Sequence, residues 1–270
     1  MVAPFDASKI KLERAAEHLQ ELESAATAYL NGKPCAIIVE PFPGGLYEAM
    51  GTQAWNARIR NPVPLKFSAI IGDVVHNLRT ALDLLVCDLV RVNGKNAKQV
   101  YFPFCASVAE LPRAIRDRNI RRAGPDVVRA IESLKPYSGG NNALRLIHDL
   151  DITDKHHALL PVLGAVSVPI GAIFGKNLPP ASANWSSVID HDGQMVIGTP
   201  NYRNIPLGTE IPARFSLALE IGPGIGYREL SEVLHSLTQE ANRVFLALTS
   251  LRPGAVFPVV PSKRPKGGKP

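Results

Sequence analysis

Two stretches of the 270-residue chain concentrate side chains that can move a proton, hold a phosphate or ligate a metal. In GDVVHNLRTALDLLVCDLV (72–90), a step of 100° per residue gathers Asp73, His76, Asn77, Thr80, Asp83 and Cys87 within an arc of about 120°. Ile71, Val74, Val75, Leu78, Leu82, Leu85 and Leu89 fall on the opposite side. A solvated face is usually built of Lys, Glu, Gln and Arg, which favour the helix. This arc holds short groups of poorer helix propensity that suit fixed hydrogen bonds. Two readings therefore stand: a wet face, or a semi-buried polar site. Arg79 and Asp83, four residues apart, can pair in either.

The second stretch is NNALRLIHDLDITDKHH (141–157). His148, Asp149 and His156 share an arc with Arg145, and Ala143, Leu146, Ile147 and Leu150 lie across from it. If the helix continues, Asp154 lands in the middle of the apolar face. An unpaired carboxylate there costs on the order of several kcal/mol. Either the helix ends near Thr153, or Asp154 is buried against Arg79, Arg145 or a backbone cap. As a metal set, His76, Asp83, His148, Asp149 and His156 offer nitrogen and oxygen donors that suit a divalent ion, which would acidify a water for hydrolysis. As a metal-free catalytic set, His76, Arg79, Asp83, Asp154 and His156 offer a base beside a cation for phosphate charge. A divalent metal is the one cofactor these residue types suggest.

Three resemblances follow from these motifs. His148-Asp149 behind His76, with the helix LIHDLDI, resembles the H…HD…D pattern of HD phosphohydrolases and implies metal-dependent phosphoester hydrolysis. The 72-residue gap from His76 to His148 is long for that family, and no obvious fourth Asp follows on a helix. Arg228-ELSEVL-His235 is similar to the Arg-to-His signature of HEPN ribonucleases and implies metal-free RNA cleavage. About one such match is expected by chance in a chain this rich in arginine, and Glu229 stands where Asn or Asp is common. Over residues 8–165, GDVVHNLRTALDLL, FPF (102–104), LKPY (134–137) and DITDKHHALL together resemble a bacterial family of uncharacterised activity. That likeness implies one soluble bacterial domain, with His76, Asn77, Arg79, Asp83, Asp154, Lys155 and His156 as its residues of interest.

The elements that must position these groups are legible from periodicity. A helix is expected over 8–31, capped by Ser8 or Asp6 and closed by Gly32 and Pro34. Strands are expected over 35–40 and 55–60, then a long helix over 66–91. Shorter helices are expected near 107–120, with Ser107 and Glu110 in capping-box spacing, near 125–134, and from Asn142 into the DKHH segment. Residues 158–175 form an uncharged run of near-membrane length. Its prolines and glycines favour buried strands over a spanning helix. A hairpin turning at Asp192-Gly193, an alternating strand over 213–221 and a helix over 227–251 complete the chain. Gly222-Pro-Gly224-Ile-Gly226 reads as a turn. The pattern implies an α+β fold, a mainly helical core carrying a small antiparallel sheet from residues 35–60 and 160–221. One domain is expected over 1–261, with 262–270 a disordered basic tail.

Composition narrows the function classes. Hydrophobic residues at 46% and charged residues at 20% exclude wholesale disorder. Cys35, Cys87 and Cys105 contain no C-x-x-C pair, and no apolar leader opens the chain, so a reducing, cytoplasmic setting without membrane contact is expected. Four of the six net positive charges lie in the last ten residues, leaving +2 over the rest. Arg113, Arg116, Arg118, Arg121 and Arg122, set on about one helix, could give weak nucleic-acid contact together with the tail. An Ala-rich first helix is compatible with a homo-oligomer. The reading is a non-catalytic binding or assembly protein with a polar His/Asp/Arg site between two helices; the alternative is a hydrolase of phosphate esters or RNA.

Overall fold

The computed structural model describes residues 3–41, 53–167, 187–189, 205–221 and 226–251. It is α+β and mainly helical, as the periodicity implies. Helix α1 (Asp6–Asn31) buries Leu12, Ala15, Leu19 and Leu22, one stripe at three- and four-residue steps. Ser8 lies in that stripe, fully buried, and its Oγ donates to the Ala81 carbonyl at 2.7 Å. It ties two helices together rather than capping one. The residue preceding the helix is Phe5, in a left-handed conformation, and its N–H is taken by Asp88 Oδ2 at 3.0 Å.

Helix α2 (Lys66–Val92) is the centre of the molecule, packing against α1 and against the later helices α5 and α6. Val74, Val75, Leu78, Leu82 and Leu85 are almost wholly buried. Each contributes about 1.5–3 kcal/mol by burial, so Leu82→Ala alone is expected to cost about 3 kcal/mol. The segment foreseen as one helix over 107–120 is a 3-10 turn (Val108–Glu110), a short α3 (Leu111–Asp117) and a second 3-10 turn (Ile120–Ala123). Asn119, at φ +57°, breaks it. Glu110 accepts the Ala106 N–H at 3.3 Å, a variant of the foreseen capping box. Helices α4 (Pro125–Leu134), α5 (Asn142–His156) and α6 (Leu230–Thr249) follow. Asn141 caps α5 by accepting the Leu144 N–H at 3.1 Å.

The strands form two antiparallel sheets, not one. Strands β1 (Cys35–Pro41), β2 (Gln53–Ile59) and β5 (Glu210–Ile211) pair in the order β2-β1-β5. Strands β3 (Val162–Ser167), β4 (Ser187–Ile189), β6 (Arg214–Glu220) and β7 (Tyr227–Glu229) pair in the order β4-β3-β6-β7. The last helix starts three residues later than its periodicity suggests, because residues 227–229 pair with β6, Ala218 facing Glu229. The Asp192-Gly193 turn, the glycines at 222 and 224 and the basic tail lie outside the described residues. One hydrophobic cluster joins the helices to both sheets. Among the described residues, no helix is long and apolar enough to cross a membrane.

A polar seam between two helices

Packing of α5 on α2 brings the two chemically rich stretches together. Leu144, Ile147 and Leu150 of α5 are buried, and the polar residues meet along the edge of that contact. The seam has two clusters.

The first is built around Arg79. Its Nε donates to Asp83 Oδ2 at 3.2 Å, its Nη1 donates to His148 Nδ1, and its guanidinium carbon lies 4.4 Å from the Phe104 ring centroid. Phe104 stacks on His148, the rings 5.1 Å apart and 5° from parallel. The other oxygen of Asp83 accepts the Phe102 N–H at 2.7 Å. With Nδ1 accepting, the proton of a neutral His148 sits on Nε2. Burial, with Arg79 and Arg145 nearby, pushes the imidazole down to about 4, so it is neutral near pH 7. Asp149 is engaged on the same helix by Arg145, at 2.5 Å.

The second cluster is built around Asp151, only 3% exposed. Its two oxygens take His76 Nδ1 at 3.0 Å and the Lys155 ammonium at 2.5 Å. His76 itself is half exposed, with Thr80 Oγ1 3.4 Å from its Nε2. Asn77 bridges to α1, accepting from Lys11 Nζ at 3.0 Å while donating to the Asp73 carbonyl. Asp154 lies flat on Gly72: a Cβ at that glycine would sit 2.6 Å from the Asp154 carboxyl carbon. Burial, then Asp151 and Asp73, hold the Asp154 carboxyl above the usual carboxylate range.

Several expectations are corrected by this geometry. The helix runs through Thr153, and Asp154 meets neither Arg79, nor Arg145, nor a backbone cap; it faces two other carboxylates over a glycine. The five candidate metal ligands are not brought to one point. His76 is paired with Asp151, Asp83 and His148 with Arg79, and Asp149 with Arg145, while His156 is exposed at the end of α5. Among the described residues, no three His, Cys, Asp or Glu side chains are placed to hold a metal ion. Of the metal-free set, Arg79 and Asp83 share one cluster and His76 and Asp154 the other; His156 joins neither. Arg228 lies on β7, not on the last helix, and His235 meets Glu23 at 2.7 Å, so the two do not form a helix-face dyad. The five arginines also do not share one helix. Arg113 and Arg116 both pair with Asp117, Arg118 stands at the C-terminal end of α3, and Arg121 and Arg122 lie in the 3-10 turn beyond the break.

Asp151 and Phe104 are the seam residues that sequence reasoning passed over. Stepping from Arg145, Asp151 falls between Leu144 and Ile147, at about −120°, inside the apolar face. Its i,i+4 relation to Lys155 was the available signal. The described clefts lie elsewhere. One of about 360 Å³ sits between α1, β6 and the start of α6, lined by Leu19, Leu22, Glu23 and Ser231, and another of about 500 Å³ adjoins it beside β5. No protein-family model, curated protein or solved structure matches the chain.

Proposed function

We propose that this is a non-catalytic binding or assembly protein, in which the His/Asp/Arg seam sets the register of α2 against α5. The observation that supports this is the closed Arg79–His148–Asp83 cluster. A general base must gain and lose a proton near the working pH. His148 stays neutral there, its Nδ1 is occupied, and one face of its ring is covered by Phe104. Arg79 donates from Nε to Asp83 and from Nη1 to His148.

A second reading, a metal-free hydrolase of phosphate esters or RNA, is favoured by one feature, the His76–Asp151 pair. A buried carboxylate orients an exposed imidazole, as in a base and its orienting acid. Turnover of labelled RNA and of a generic phosphodiester by wild type, His76→Gln and Asp151→Asn separates the two. The binding reading expects the three proteins to be indistinguishable from buffer. Turnover lost in His76→Gln, with the fold retained by circular dichroism, would overturn it. Light scattering on the same samples reports assembly.

A further inference from the structure

The structure shows a basic surface of different composition from the arginine run that sequence reading singled out. Neither NGKNAKQVY (93–101) nor RNIRR (118–122) contains an acidic residue, and together they carry Lys95, Lys98, Arg118, Arg121 and Arg122. The fold staples these segments side by side. Asn119 Nδ2 donates to the Gln99 carbonyl at 3.0 Å, Arg122 Nη1 to the Asn96 and Lys98 carbonyls at 3.1 Å each, and Asn93 Nδ2 to the Arg122 carbonyl at 2.8 Å. Ile120 and Val100, both buried, anchor the segments to the core. All five cations are exposed, and none forms an ion pair among the described residues. Tyr101 is 46% exposed, with Arg118 Cζ 5.8 Å from its ring centroid. An aromatic therefore stands among these cations in space, although none interleaves the arginines along the chain.

We infer that this surface binds single-stranded nucleic acid, with Tyr101 as a stacking platform for a base and the five cations meeting the phosphates. The inference rests on the reading of a binding protein and names its partner. The staples fix the backbone of both segments and the Arg122 guanidinium, so the chain that carries the cations has little freedom left to lose on meeting a polyanion. The exposed tyrosine selects among polyanions. Bases stack on such a ring when they are unpaired, a contact that the carboxylates of an acidic peptide or the phosphate of a lipid do not make. A duplex keeps its base faces stacked inside, which favours the single strand.

The test uses the full chain and a fluorescein-labelled 12-nucleotide oligo(U), followed by anisotropy between 50 and 200 mM salt. Five neutralised phosphates on a single strand give a log–log salt slope of about −3.5, so affinity should fall about a hundredfold over that range. Lys98→Gln with Arg121→Gln should reduce the slope to about −2. Tyr101→Ala should weaken binding about tenfold and leave the slope unchanged. All three positions are exposed, so folding is little affected. Absence of binding at 50 mM salt, or a slope indifferent to the double substitution, overturns the inference. So does competition by polyglutamate at equal charge with no effect of Tyr101→Ala, which would mark a docking surface for an acidic protein. Gel analysis of the same RNA keeps the two claims apart. Surface-dependent binding with cleavage supports the nucleic-acid surface and overturns the non-catalytic reading, whereas intact RNA that never binds overturns the surface alone.

Discussion

His148 gives the seam a measurable pH dependence. In an unfolded chain its imidazole titrates near 6.5; in the native protein burial, Arg79 and Arg145 hold it at about 4. The unfolded chain therefore takes up a proton that the native protein refuses. Above pH 6.5 neither state is charged and the native state keeps its full stability. As the pH falls from 6.5 towards 4 the unfolded chain is progressively favoured, and below 4 the loss is complete. A gap of that width corresponds to about 3 kcal/mol, and partial solvent access to the ring lowers this to about 2 kcal/mol. The perturbation is His148→Gln, which can still accept from Arg79 but does not titrate. Urea unfolding of wild type and variant at pH 7 and pH 4.5 supplies the comparison, because taking the difference between the two proteins cancels the other titrating groups. The wild-type advantage should shrink by about 1.5–2 kcal/mol on going to pH 4.5. An advantage that is the same at both pH values would refute the placement of a neutral, buried imidazole between Arg79 and Phe104.

Arg79→Met should destabilise the protein by about 2–4 kcal/mol, since Asp83 loses its counter-charge and His148 its donor. The same variant should raise the His148 titration midpoint followed by NMR; an unmoved midpoint would contradict the contact. Asp154→Asn should raise the thermal midpoint at pH 7, because the charged carboxylate, held against Asp151 and Asp73, is the disfavoured form. That gain should fade as the pH falls through the raised native value and vanish below about 4, where the unfolded carboxyl is also protonated; a lower midpoint at pH 7 would refute it. Ser8→Ala should cost about 1 kcal/mol in chemical denaturation through loss of the bond to the Ala81 carbonyl, and an unchanged midpoint would return Ser8 to the surface.

The sequence alone determined the α+β class, the long α2 and α5, the position of β1, and the pairing of Arg79 with Asp83. Each depends on neighbours within a few residues, where periods of 3.6 and 2 and the i,i+4 rule operate directly. Tertiary structure decided everything that depends on which helix faces which. Ser8 has the composition of a cap and the position of a core residue, and only the approach of α2 gives its hydroxyl the Ala81 carbonyl. Asp151 sits on the apolar face of α5, and only α2 brings His76 to it; Asp154 tolerates its place because Gly72 leaves room for it. The arginine run breaks at Asn119, so its charge is redistributed onto a surface shared with residues 93–101 that no local pattern joins to it. A helix period states which side of an element is polar; the partner that side meets is set by packing at long sequence separation, where a metal-like inventory of His and Asp resolves instead into separate ion pairs and a stacked imidazole.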